Sequence, residues 1–100
     1  MGKDALAAYL KAQCRGRKNA VSGAGLERAL QIGGNELRRQ VNRLRRQGVP
    51  IASSRNGYFY AVTAGEIYET IRQLRRMERG LAAAVQGLEA SLDCFGGDAD

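Results

Sequence analysis

Between Gly33-Gly34 and Gly48 the chain runs Asn35-Glu36-Leu37-Arg38-Arg39-Gln40-Val41-Asn42-Arg43-Leu44-Arg45-Arg46-Gln47. Its apolar residues, Leu37, Val41 and Leu44, stand at i, i+4 and i+7 and form one stripe of an α-helix. At roughly 100° per residue, Asn35, Arg39, Asn42, Arg43 and Arg46 fall on or near the opposite side, with Arg38 and Arg45 flanking it. Gly48 stands where a left-handed residue ends a helix. The expected element is a short helix with a narrow dry edge and a broad face of guanidinium and amide groups. Such groups match phosphate oxygens, guanine edges and adenine edges. The same pattern also fits the solvated face of an ordinary surface helix, and the flanking sequence decides between the two.

Upstream, Asp4 can cap a first helix running to about Cys14, with Ala5, Leu6, Tyr9 and Leu10 on its buried side. Arg15-Gly16-Arg17-Lys18-Asn19-Ala20 then reads as a basic loop, solvated or holding a phosphate through Arg15, Arg17 and Lys18. Ser22 is the expected N-cap of a second helix, with Leu26, Ala29 and Leu30 as its apolar side and Ile32 following. Gly33-Gly34 is too flexible to continue that helix comfortably, so a turn of about three residues separates it from the arginine-rich one. Two helices so joined, the second rich in Arg and Asn, are the helix-turn-helix arrangement.

Downstream, Asn56-Gly57 lies between two β-prone runs, Ile51-Ala52-Ser53-Ser54 and Tyr58-Phe59-Tyr60-Ala61-Val62. Asn-Gly is a strong hairpin signal because both residues accept the positive φ of a type I′ turn. With Asn56-Gly57 as the loop, Arg55 faces Tyr58, Ser53 faces Tyr60 and Ile51 faces Val62, and Ile51, Tyr60 and Val62 reach the core. Pro50 sits at the strand start, where its missing N–H costs little. A hairpin directly after such a helix is a wing, with Arg55 and Asn56 at its tip beside a DNA backbone or minor groove. The alternative is a hairpin that only closes the core.

The run Leu30 to Arg45, followed by Gly48-Val49-Pro50-Ile51-Ala52-Ser53-Ser54 and Gly57-Tyr58, resembles the winged helix-turn-helix domains of the biotin-repressor and deoxyribose-operon-repressor type. The chain is similar to the small stand-alone winged-helix proteins of bacteria and prophages. The resemblance covers about residues 5–62 and implies a mainly α fold with a β-hairpin wing. Gly33 stands where such domains usually carry a Ser or Thr cap, and the resemblance does not extend to a ligand-sensing or catalytic domain.

From Ala64 the pattern is helical again. Ile67, Ile71, Leu74, Glu78, Leu81, Val85, Leu88 and Leu92 follow alternating spacings of four and three, a heptad seam interrupted only at Glu78. Thr63 or Gly65 can start this helix, with Glu66 and Glu69 favourable in or near its first turn. Ile71 and Val85 fall at a, and Leu74, Leu81 and Leu88 at d, which favours two parallel strands. The e and g positions include Ala82 and Ala84 and few opposite charges, so an antiparallel pair, a larger bundle or packing on the first helix stay open. A helix of roughly 28 residues is about 40 Å long, more than so small a domain can cover, so the expectation is a homodimer. The expected organisation is a winged helix-turn-helix domain over 1–62, a long oligomerisation helix over 63–92 and a flexible acidic tail over 93–100.

Charge follows that division. Residues 1–62 hold 12 Lys and Arg against three acids, whereas residues 63–100 hold four Arg against seven acids. A basic part joined to a mildly acidic part expects a polyanion at the first and another task for the second. The chain has no histidine, so it lacks the commonest general base and metal ligand, and no enzyme, cofactor or metal is expected. Cys14 and Cys94 lie far apart and form no metal-ligand spacing, and free thiols in a reducing cytoplasm are the expectation. No apolar run approaches the ~18 residues of a membrane span, no secretory h-region opens the chain, and Leu6 stands where a myristoylation motif wants Ser or Thr. The function expected is a dimeric, sequence-preferring double-stranded DNA-binding protein, a cytoplasmic, nucleoid-associated transcriptional regulator with no evident small-molecule effector. The alternative is a protein-interaction or assembly module, a replication accessory or phage packaging factor with weak non-specific nucleic-acid binding. RNA binding is the weaker third possibility, because no exposed aromatic platform is left for base stacking.

Overall fold

The computed structural model describes residues 5–95. Asp4, expected to cap the first helix, and the end of the acidic tail lie outside the described residues. The elements in order are α1 (Ala5–Gln13), a 3₁₀ turn (Arg17–Asn19), α2 (Gly23–Leu30), α3 (Gly34–Arg46), β1 (Ile51–Ser54), β2 (Gly57–Tyr60), α4 (Ala64–Ser91) and a second 3₁₀ turn (Leu92–Phe95). They divide into two compact units, Met1–Thr70 and Ile71–Asp100. The chain is thus mainly helical, with a two-stranded antiparallel hairpin and a long C-terminal helix. Among the described residues no helix is long and apolar enough to cross a membrane.

The core of the first unit gathers one stripe from each helix. Leu6 and Leu10 of α1, Leu26 of α2, and Leu37, Val41 and Leu44 of α3 close on Cys14, Ile51, Ala52 and Phe59. Fully burying each of the larger apolar side chains is worth about 1.5–3 kcal/mol. Ala5 and Ala29, expected on buried sides, are exposed, because small side chains at the margins of a two-turn stripe add little when covered. Burial pushes the Cys14 thiol pKa up.

The helix ends follow the chemistry of their residues. Ser22 caps α2 by accepting from the Gly25 N–H at 3.0 Å. The turn from α2 to α3 is Gln31-Ile32-Gly33, and its left-handed residue is Gln31, at φ 56°, rather than a glycine. Gly33 occupies the N-cap of α3 in extended conformation and supplies no side-chain cap. At the other end Gly48 adopts φ 91°. Its N–H donates to Arg45 O and that of Val49 to Leu44 O, both at 3.0 Å, which is the Schellman closure of α3.

The hairpin forms in a different register from the one expected. The pairs are Ile51 with Tyr60, Ala52 with Phe59, Ser53 with Tyr58 and Ser54 with Gly57. The loop is therefore Arg55-Asn56, and Asn56 does not adopt positive φ. The second strand is displaced by two residues, so each residue keeps its face; Phe59, opposite Ala52, is buried, Tyr60 is half-buried, and Val62, left beyond the end of β2, is 51% exposed. The cause lies on the far edge of β2. Tyr58 exchanges two backbone hydrogen bonds with Val21, at 2.8 and 2.9 Å, and Tyr60 bonds Cys14 O and Gly16 N–H at 2.7 and 2.8 Å. A Cβ on Gly57, at φ 123°, would lie 2.0 Å from Val21 O. The glycine thus serves the close approach of the segment before α2 as well as the turn, and only one register satisfies both.

The start of α4 belongs to the first unit. Thr63 and Glu66 form a reciprocal capping box: the Glu66 N–H donates to Thr63 Oγ1, and Glu66 Oε1 accepts from the Thr63 N–H, both at 3.2 Å. Glu66 also accepts from the backbone N–H of Val62 at 2.8 Å and of Arg17 at 3.1 Å. One turn on, Thr70 is buried and its hydroxyl oxygen accepts from the Ser53 N–H at 3.1 Å. The Val62 bond is the main cause holding the Glu66 carboxyl below its usual pKa. A carboxyl whose pKa is lower folded than unfolded stabilises the protein above the unfolded value and loses that contribution as pH falls through the folded one. Glu66→Gln should therefore lower the melting temperature at neutral pH, and its deficit against the parent should shrink on acidification below the ordinary carboxylate range. A deficit independent of pH in thermal melts would contradict this role.

Candidate nucleic-acid interface

The three buried residues of α3 orient everything else on the helix. With Leu37, Val41 and Leu44 in the core, Asn35, Arg38, Arg39, Asn42 and Arg46 are exposed, and Arg43 is half-buried at the margin. These residues line one side of a single rigid element. Glu36, Arg39, Gln40, Asn42, Arg43 and Arg46 surround an open depression of about 320 Å³. Its rim carries three guanidinium groups, two amides and one carboxylate.

The side chains of this face are partly ordered by one another. Arg38 Nη2 donates to Asn35 Oδ1 at 2.6 Å. Arg39 Nη2 donates to Glu36 Oε1 at 2.8 Å, and Gln40 Nε2 to Glu36 Oε2 at 2.9 Å. The Gln40 and Arg39 bonds, in that order, hold the Glu36 carboxyl below its usual pKa. The Arg39–Glu36 pair is exposed, with side chains 75% and 43% accessible, so solvent and salt screen it and it yields readily to a competing anion. Glu36 and Gln40 belong to this face in addition to the residues expected there. The signal was present in the spacing, since Glu36, Arg39 and Gln40 are helical neighbours at i, i+3 and i+4.

Arg45 has a different task. Its Nε donates to Ile51 O at 2.9 Å and its Nη2 to Ser53 Oγ at 3.3 Å, tying the end of α3 to β1. Its guanidinium is half-buried, and desolvation there pushes its pKa down. Arg45, expected to flank the charged side, is instead a structural tie between α3 and β1. No one-dimensional signal separates it from its neighbours, because it depends on where β1 returns.

The remaining candidates lie elsewhere on the first unit. Arg55 and Asn56 are exposed at the hairpin tip, and Arg15 and Lys18 are exposed beside the first 3₁₀ turn. Arg17, expected to hold a phosphate, forms an ion pair with Glu69 while its backbone N–H donates to Glu66. It closes the start of α4 onto the turn. In the second unit the apolar seam is open: Leu81, Val85, Leu88 and Leu92 are each more than half exposed, as are Met77 and Phe95. Ile67 in the first unit, and Ile71 and Leu74 in the second, are half-buried.

Among the described residues no group of three or more His, Cys, Asp or Glu could hold a metal ion. Comparison with protein-family models, with curated proteins and with solved structures finds no match. The geometry of the site is therefore the ground for any functional assignment.

The two arginines should separate on substitution. Arg45→Ala should destabilise the fold by about 1–2 kcal/mol, because it deletes a charge-assisted bond to a partly buried carbonyl. Arg39→Ala should change stability by less than about 0.5 kcal/mol. Urea unfolding followed by circular dichroism measures both, and equal effects would overturn the distinction.

Proposed function

We propose that the protein is a dimeric, sequence-preferring double-stranded DNA-binding protein of the winged helix-turn-helix type, a small transcriptional regulator. The observation that carries this is the exposed guanidinium and amide face of α3, held outward by Leu37, Val41 and Leu44. In this reading α2 and α3 are the two helices of the motif and α3 enters the major groove. Asn35, Arg38, Arg39, Asn42 and Arg43 reach base edges or adjacent phosphates, and Arg46 reaches the backbone. The hairpin is the wing, and Arg55 and Asn56 meet phosphate or a minor groove, with Arg15 and Lys18 as further backbone contacts. Weak intrahelical pairs fit this use, because a bound base or phosphate replaces acceptors that cost little to lose.

Self-association through α4 completes the reading. A helix that leaves Leu81, Val85, Leu88 and Leu92 in water is poorly placed as a monomer element. Pairing presents two recognition helices to a two-fold site. The same seam favours the second reading, an assembly module whose basic face is incidental.

Binding-site selection from random duplexes at moderate salt decides between them. Enrichment of a defined sequence supports the regulator, and recovery of no preferred sequence supports the assembly module. On the selected site Arg39→Ala should cost on the order of 1–3 kcal/mol and relax the preference, as expected of a base-reading residue. Arg55→Ala should weaken all sequences alike and reduce the salt slope by roughly one unit. An altered preference at Arg55, or an unaltered one at Arg39, would reverse those roles.

A further inference from the structure

The open seam of α4 carries information about how its partner lies. Along α4 the heptad places Ile71, Glu78 and Val85 at a, and Leu74, Leu81 and Leu88 at d, with Leu92 next in the seam where the helix passes into the 3₁₀ turn. The charges along this helix are segregated. Residues 72–79 contain Arg72, Arg75, Arg76 and Arg79 against Glu78, whereas residues 80–95 contain Glu89 and Asp93 and no cation.

In a parallel pair each residue meets its own copy. Glu78 then faces Glu78 in the seam, and basic segment lies beside basic segment. The e-to-g contacts become Met77 with Ala82 and Ala84 with Glu89, with no opposite charges. In an antiparallel pair, a layers face d layers. One register matches Leu74 with Leu92, Glu78 with Leu88 and Leu81 with Val85, each occurring twice. Arg75 and Glu89 are both e positions. In that register Arg75 lies between the layers of Leu74 and Glu78, and Glu89 of the second copy lies between the matching layers of Leu88 and Leu92. The two therefore meet across the rim, twice per dimer. Arg75 also stands one turn before Glu78, at the i, i+3 spacing of helical neighbours. The centre of the register brings Ala82 to Ala82 and Ala84 to Ala84, small residues that allow close approach. Gly80 and Gly87 fall at outer c positions, where no atom lies within 4 Å of an added Cβ.

We propose that the exposed face of α4 binds a second copy of the same chain in the antiparallel sense, in the register that pairs Leu81 with Val85 and Arg75 with Glu89. Like charges directly opposed in a seam destabilise, and opposite charges at the rim set orientation more than they add affinity. The proposal rests on the self-association put forward above and is independent of whether the basic face of α3 binds DNA.

The full-length protein tests it through its own thiols. Cys94 is exposed and Cys14 is buried, so a nitroxide label goes to Cys94. In the antiparallel register the two labelled positions are separated by twenty-two residues, about 33 Å along the helix axis, and in a parallel pair they stand at the same height. Pulsed electron-spin measurements should return a distance above about 30 Å, and a distance near the ~20 Å width of two helices would overturn the orientation while leaving self-association intact. Charge reversal supplies the second measurement. Arg75→Glu and Glu89→Arg should each raise the dimer dissociation constant roughly three- to tenfold in sedimentation equilibrium, and the double variant should restore it. Additive losses would overturn the pairing. A parent protein that stays monomeric at every concentration would overturn self-association itself, whereas failure to bind any duplex, with the long distance retained, would overturn only the DNA-binding reading.

Discussion

Three side chains, Leu37, Val41 and Leu44, determine what the rest of the first unit can present. They fill the centre of a core built from ten residues, and no rotation of α3 can keep them dry while turning its arginines inward. The broad charged face is a consequence of that narrow stripe. Burial of the stripe is worth several kcal/mol, whereas the exposed pairs on the opposite side are screened by water and salt and hold their side chains only weakly. Strong contacts therefore set the direction of the helix, and weak ones dress its exposed face. That division suits a site that must be rigid in backbone and adaptable in side chain.

The hairpin shares the core through Ile51, Ala52 and Phe59, and polar ties join it to α3 and to the start of α4. Arg45 joins the helix to β1, Thr70 joins β1 to α4, and Glu66 gathers the N–H groups of Val62, Thr63 and Arg17. Each tie uses a backbone N–H or carbonyl as one of its partners. Together they hold the hairpin tip, with Arg55 and Asn56, on the same unit as the face of α3. Under the proposed function this common scaffold keeps the wing and the recognition helix in register with one duplex.

How much of this was legible in the sequence depends on the range of the interaction involved. Local signals read well: the apolar stripe of α3, the Ser22 cap, the Gly48 terminator, the three-residue turn and the extent of α4 all follow from neighbours within one or two turns. The hairpin was recognisable from Asn56-Gly57, yet its register was not, because Gly57 answers to the backbone of Val21, far away in the chain. The same limit hid the tasks of Arg17 and Arg45. Both look like their neighbours in a basic run, and only the return of α4 and of β1 gives them internal partners. Within the candidate face periodicity identifies the cations, while the part played by Glu36 and Gln40 depends on side-chain rotamers that bring Arg39 and Gln40 onto one carboxylate.

The central claim is that the exposed side of α3 is where a nucleic-acid duplex lies. The most direct measurement is a titration of the isotope-labelled protein with duplex DNA, followed by nuclear magnetic resonance at moderate salt. The account predicts that amide and side-chain signals of Asn35, Arg39, Asn42 and Arg46 shift together with those of Arg55, while signals of α4 beyond Thr70 stay in place. Shifts confined to α4, or none on α3 at saturating duplex, would contradict it.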